Sequence, residues 1–327
     1  MNKLRNIFGA TVAVAKTTAT ELLGQPVIML LILCGILLIA MVPLLHFHEF
    51  GEAGRLCRDS ALAYQLVIGT LIAVVASSSS IHSEITNGTA LAALGKPVSR
   101  EAFLCGKWLG VISVTTRFWF CTLATEMVAW RISPRFVDLG EKGMGMITDS
   151  ITQSLLLLVP PLALAVSGIL HNRKGYRFCK TAVTAATIAT FSLLLICTLF
   201  TNRWLYSPKF ANVDIAVIPV SILILLALMT YSAIASALST RLNTAPVLII
   251  SLILLALGLS YDSISVHLPT YLTLPIPNLQ SFWMCDAVAN GQSLPDNYLL
   301  FALLYTVSCI GAALGIGILL FRDRDIG

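Results

Sequence analysis

The chain has 327 residues, of which 57% are apolar and only 11% charged, with a mean hydropathy of +0.86. Soluble domains carry about 25% charged residues because a folded surface must be wetted, so this composition excludes an ordinary soluble domain and leaves lipid to cover much of the surface. The formal net charge of +5 comes from Lys and Arg scattered between apolar runs rather than gathered in a patch, which excludes a nucleic-acid partner.

Residues 1–25 come first. Leu4, Phe8, Val12, Ala15, Ala19 and Leu22 recur at helical spacing, with Asn6, Lys16 and Thr20 on the other side. Such a helix is expected to lie in the membrane interface. A signal peptide would also start with Lys3 and Arg5, but Lys16 interrupts the apolar run and a full span follows at once.

From residue 26 to 327 the chain reads as one transmembrane domain. A span needs roughly 20 apolar residues, and its backbone must satisfy its own amides, so each run is a helix. Seven stretches contain no charged residue: 26–45, 60–81, 150–170, 181–200, 215–239, 245–261 and 298–321. An eighth, Trp108 to Trp130, is apolar but carries Arg117 and Glu126. The expected fold is therefore an all-α polytopic membrane protein of about eight spans, with an outer loop over 262–297. With the N-terminus inside and sides alternating, thirteen Lys and Arg fall inside and seven outside, with Arg117 left in a span. That bias predicts both termini in the cytoplasm.

The segment 82–107, between the second and third spans, is expected on the cytoplasmic side. Leu91, Ala92 and Leu94 suggest a short helix that Gly95 closes and Pro97 stops, and Ser99 suits the N-cap of the next helix. Two short helices joined by a rigid turn would make a protruding knob, and a plain solvated loop is the competing reading.

Catalytic signatures are missing. A Walker A loop ending at Gly106-Lys107 would need glycine at 101 and Ser or Thr at 108, where Glu101 and Trp108 stand. His48-Glu49 lacks the second histidine of a zinc protease, and no G-x-S-x-G elbow occurs. His46, His48 and Glu49, or Met144 and Met146, supply too few ligands for a metal, and the eight cysteines form no CxxC pair. Asn87-Gly88-Thr89 matches a glycosylation acceptor but falls on the expected cytosolic side. Phe282 and Trp283, after Pro275 and Pro277, suggest a short outer helix at the interface or a lid over an exit path, and Pro160-Pro161 should bend its span.

Arg117 and Glu126 are costly at mid-bilayer, at least ~2.5 kcal/mol each on the mildest insertion scale, so each should face protein or water. Nine residues apart, they fall on nearly opposite helix faces and cannot pair. Arg117 would either bond carbonyls of a neighbouring helix or line an inner cavity and meet an anionic substrate group.

Glu84, Gly88-Thr89, Lys96-Pro97-Val98-Ser99-Arg100, Phe103 and Gly106-Lys107, in that order, resemble the signature loop of ABC-2 type transporter permeases, closest to the branch associated with multicopper-enzyme maturation. Ser236 to Ser239 with Asn243 to Ala245 resembles that family's tight late hairpin, and Phe321 to Ile326 its tail. The resemblance covers roughly the first 130 and last 100 residues. It departs from the usual six spans by an added helical pair at about 150–200, joined by the basic linker HNRKGYRFCK.

The resemblance implies a permease subunit, an exporter, in the plasma (inner) membrane, with the N-terminal helix as an elbow. The segment 82–107 would be the coupling helix, with Glu84, Gly88, Thr89, Pro97, Ser99 and Arg100 contacting a cytosolic ATPase subunit. Two such ATPase copies, a second permease subunit as homodimer or heterodimer, and lipid would be the partners. No cofactor is expected in this chain, since ATP and Mg would bind the ATPase. The substrate path would include Arg117 and Glu126. The alternatives are an ion-coupled secondary transporter, a membrane-embedded enzyme, or an assembly factor without transport. Lipid, peptide, drug, polysaccharide and copper or sulfur species all stay open as cargo.

Overall fold

A computed structural model describes residues 2–45, 53–86, 99–133, 135–138, 144–147, 149–200, 204–206, 213–267, 269, 273, 276–285 and 295–322. The elements are helices α1 (Asn2–Leu22), α2 (Pro26–Met41), α3 (Ala53–Ser77), α4 (Ser83–Thr86), α5 (Arg100–Ile132), α6 (Ser150–Lys174), α7 (Phe178–Leu199), α8 (Ile218–Leu238), α9 (Thr244–Leu259), α10 (Tyr261–Ser265) and α11 (Tyr298–Arg322). A 3-10 turn at Val42–Leu44 extends α2, and a π-helical turn at Ser78–His82 joins α3 to α4. Between α5 and α6, strands β1 (Arg135–Asp138) and β2 (Met144–Ile147) pair antiparallel, with Arg135 opposite Ile147. Sequence patterning gave no sign of this hairpin.

Six helices are long and apolar enough to cross a membrane: Pro26–Leu44, Gly54–His82, Ser150–Lys174, Phe178–Leu199, Ile218–Leu238 and Tyr298–Arg322. The described residues thus have the character of a polytopic helical membrane protein. The other two expected spans differ for separate physical reasons. Helix α5 has 33 residues, about 50 Å at 1.5 Å per residue, but it carries six charges. It tolerates them because it is central, packed against α1, α2, α3, α6, α7 and α8. Its surface meets protein rather than lipid, so its composition is that of a core helix.

Helix α9 has only 16 residues, about 24 Å. Its end is covered by the chain that follows. The Leu279 amide donates to the Gly258 carbonyl at 3.0 Å, and a Cβ on Gly258 would sit 2.7 Å from the Pro277 carbonyl oxygen. Gly258 therefore admits a backbone contact that a side chain would block. This fold-back also corrects the outer-helix expectation at Phe282. Gln280–Phe282 is a single 3-10 turn whose Phe282 is buried in the core beside Leu66, Ile224 and Ala227.

The periphery is formed by α6, α7 and α11, where Leu158, Leu162, Ile188, Leu195, Phe301 and Leu319 are exposed. Large apolar side chains left open in this number suit hydrocarbon rather than water. Helix α6 runs unbroken through Pro160 and Pro161.

Helix α1 is present as expected, and the residues of its apolar stripe divide between two surroundings. Phe8 and Val12 are exposed, while Thr18 and Leu22 are buried. Glycines on α5 receive it. A Cβ at Gly106 would lie 2.7 Å from Val14 Cβ and 2.9 Å from the Thr11 carbonyl oxygen, and one at Gly110 would lie 2.6 Å from Thr18 Cβ. Four residues apart, the two glycines form one flat strip on which α1 rests backbone to backbone.

Candidate functional site

The base of the segment 82–107 is built from three helix ends. Ser99 caps α5 as its sequence predicts, its hydroxyl accepting from the Ala102 amide at 3.2 Å. Arg100, Phe103 and Lys107 then share one face of the first two turns of α5. Lys107 is only 3% exposed and donates to Glu84 Oε1 on α4 at 2.5 Å. Its ammonium also sits 5.6 Å from the Phe103 ring centroid. Phe103 stacks on Phe321 of α11 with centroids 5.9 Å apart. Arg100 donates through Nη1 to the carbonyls of Phe321 (3.2 Å) and Arg322 (2.7 Å), and lies 5.7 Å from the Phe321 ring. A guanidinium on the last carbonyls of a helix satisfies acceptors that have no partner within it.

The segment is thus held at both feet, by α4 on one side and by the C-terminal end of α11 on the other. Gly88, Thr89 and Pro97 lie outside the described residues, as do the Leu91–Leu94 stretch, Gly95 and the histidines 46 and 48. Of the predicted coupling residues, the structure brings Glu84, Ser99 and Arg100 to this one base. Lys107 is the member whose role escaped sequence reasoning: 23 positions from Glu84, it follows no local spacing rule.

Above Glu84 a run of serines ties α3 to its neighbours. Ser77 and Ser236 hydroxyls lie 3.1 Å apart, Ser78 and Thr244 hydroxyls 2.6 Å apart, and Trp108 Nε1 donates to Ser232 at 3.1 Å. Deeper in the bundle Gln65 donates to Thr122 at 2.9 Å and accepts from Ser221 at 2.9 Å, while Trp119 donates to the Ser221 carbonyl at 2.7 Å. These buried polar groups are paired, so they fix α3, α5 and α8 in one relative register.

The opposite end of the bundle holds two buried ion pairs. Arg58 Nε donates to Asp214 at 2.7 Å. Arg131 donates to Asp149 Oδ2 through Nε (3.1 Å) and Nη2 (3.0 Å), and through Nη1 to the carbonyls of Cys197 and Phe200. Asp149 also caps α6, accepting from the Thr152 amide and hydroxyl, and from the Trp204 indole. Burial acts to raise the Asp149 carboxyl, but the hydrogen bonds from Thr152, Arg131 and Trp204 outweigh it and hold the group below its ordinary value of 3.8.

Arg117 and Glu126 make no ion pair with each other. Arg117 is half-buried on α5, near Cys121, with no hydrogen bond among the described residues. Glu126 is 1% exposed, and neither carboxyl oxygen has a hydrogen-bond partner among the described residues. Arg58, Asp59 and Asp214 are the charged groups within electrostatic reach of it. Among the described residues no group of three or more His, Cys, Asp or Glu could hold a metal ion. In comparisons with known proteins, no family model and no curated sequence matches this chain.

Proposed function

We propose that the chain is the membrane-spanning permease subunit of an ATP-driven transporter of the ABC-2 type, an exporter, working in a plasma or inner membrane. In this reading eight helices cross the bilayer, both termini are cytoplasmic, α1 is an interfacial elbow, and α6 with α7 is the added pair. A second permease subunit and two copies of a cytosolic ATPase complete the assembly.

The observation that carries the reading is the clamped base of the segment 82–107. Its two feet are fixed to α3, α5 and α11 by Glu84–Lys107 and by Arg100 on the end of α11. A partner that displaced this segment would therefore move three helices rather than bend a loop. ATP-driven closure of the partner would then shift the bundle between two states by its differential affinity for them.

The test is co-purification from the native membrane in mild detergent. A P-loop ATPase should be recovered with the full chain and lost when residues 87–98 are replaced by a Gly/Ser linker, with the bundle still folded. Recovery of the intact chain with no ATPase overturns the reading.

The buried carboxyl of Glu126, without a hydrogen-bond partner among the described residues, favours a second reading, an ion-coupled transporter with that carboxyl on the ion path. In reconstituted vesicles that reading requires transport driven by an ion gradient without ATP and abolished by Glu126→Gln.

A further inference from the structure

Helix α11 packs on α8 and leaves a groove of about 480 Å³ that α9 borders. Its wall on α11 is the stripe Tyr305, Cys309, Ala312, Ala313, Ile316 and Leu320, with Ala237 of α8 and Leu254 of α9 facing it. The small residues at 309, 312 and 313 hold the wall back, and the stripe runs over sixteen residues, a rise of about 22 Å. That exceeds half of a hydrocarbon core of about 30 Å, the depth one leaflet's acyl chain occupies. The far end is shut, since Pro277 and Tyr305 both line it and the Tyr305 hydroxyl accepts from the Asn278 amide at 2.9 Å.

The near end opens beside Arg241. Arg241 is exposed, and its Nε donates to the carbonyl of Leu320, the last wall residue, at 2.9 Å. Its two terminal nitrogens have no hydrogen bond among the described residues. Arg322 is also exposed, but two positions beyond Leu320 it lies about 200° further round α11, on another face. An apolar slot closed at one end, as deep as a leaflet, with the terminal donors of Arg241 at its mouth matches a lipid bearing a phosphate.

The structure assigns this groove as a binding site for one acyl chain of an anionic phospholipid, with the headgroup phosphate held by Arg241. The assignment does not rest on the transporter reading, because it needs neither a partner nor transport.

The test uses the full chain purified in detergent, with native mass spectrometry and thermal unfolding after addition of phosphatidylglycerol, phosphatidylcholine or inorganic phosphate. Phosphatidylglycerol should bind as one tight equivalent and raise the unfolding temperature more than phosphatidylcholine. Arg241→Gln should weaken it about 5-fold and phosphatidylcholine, whose phosphate is offset by its choline, less, while Arg322→Gln should leave both unchanged. Ala313→Phe, which fills the slot, should remove the tight equivalent of either lipid. Ala313→Leu should weaken both, and it decides the point should the phenylalanine variant not fold. Equal affinity for the two lipids, protection by phosphate alone, or undiminished binding in the filled variants overturns the assignment. So does a lipid-free dimer that either filled variant dissociates, since the groove would then hold a second copy of this chain.

Discussion

Arg131 shows how a single residue decides the fate of a charge inside an apolar bundle. Its guanidinium is fully desolvated, yet every direction it points meets an oxygen: Asp149 twice, and the carbonyls of Cys197 and Phe200. Removing one partner of such a pair strands the other, at a cost of about 3–5 kcal/mol. Asp149→Asn or Arg131→Leu should therefore lower the thermal midpoint in detergent sharply, and the double replacement by apolar residues should recover part of the loss. The pH dependence has a definite sign. The Asp149 carboxyl is depressed in the folded protein, so its contribution is complete above about pH 4 and fades as pH falls through the folded value. Wild type should lose stability over that acid range, and Asp149→Asn should show a shallower decline.

At the scale of elements, the charge-free runs located seven helices because hydrocarbon tolerates no unpaired charge, and Ser99 announced the start of α5 because its hydroxyl is the natural acceptor for a free amide. What stayed hidden was set by neighbours far along the chain. The periodicity of α1 marked Phe8 and Val12 as the apolar stripe of an interfacial helix, and both are exposed, but it could not say which face docks on the bundle. The face that docks is chosen by Gly106 and Gly110, about ninety residues away. Nor could the aromatic pair at Phe282 and Trp283 reveal that its turn folds back over the short end of α9. In the candidate site, Glu84 and Arg100 were singled out only through the family resemblance, and that Lys107 and the end of α11 would be their partners was not legible. The glycine strip gives a direct prediction. Gly106→Ala and Gly110→Ala each press a methyl into α1, against the Thr11 and Ala15 carbonyl oxygens among other atoms, and backbone cannot yield cheaply. Each should cost about 1–3 kcal/mol, and limited proteolysis should cut earlier around Gly24 as α1 lifts away.

Across the whole molecule, ion pairs cap both ends of the helix bundle while its middle is joined by neutral hydrogen bonds around Gln65. This distribution follows from electrostatics, since charges are least costly near the bilayer edges, and the middle must be knitted by dipoles. It also means that the pair at one end can be altered without disturbing the other. Glu84→Lys alone should lower the thermal midpoint and release any partner held by the segment 82–107. Combined with Lys107→Glu it should recover much of both, while Lys107→Met alone should not restore partner binding. Pull-down and thermal unfolding on the same preparations separate a local loss from a global one.

The five residues Ser78–His82 wind as a π turn, which fits one more residue into a helix than α-helical winding would. Were that surplus residue absorbed, everything past His82 would rotate by about 100° around the α3 axis, the angle one residue occupies. Glu84 would swing off Lys107 by more than a quarter of a revolution. The hydroxyls of Ser236 on α8 and Thr244 at the head of α9 therefore set the phase of α3, and with it the azimuth at which the following segment leaves the bundle.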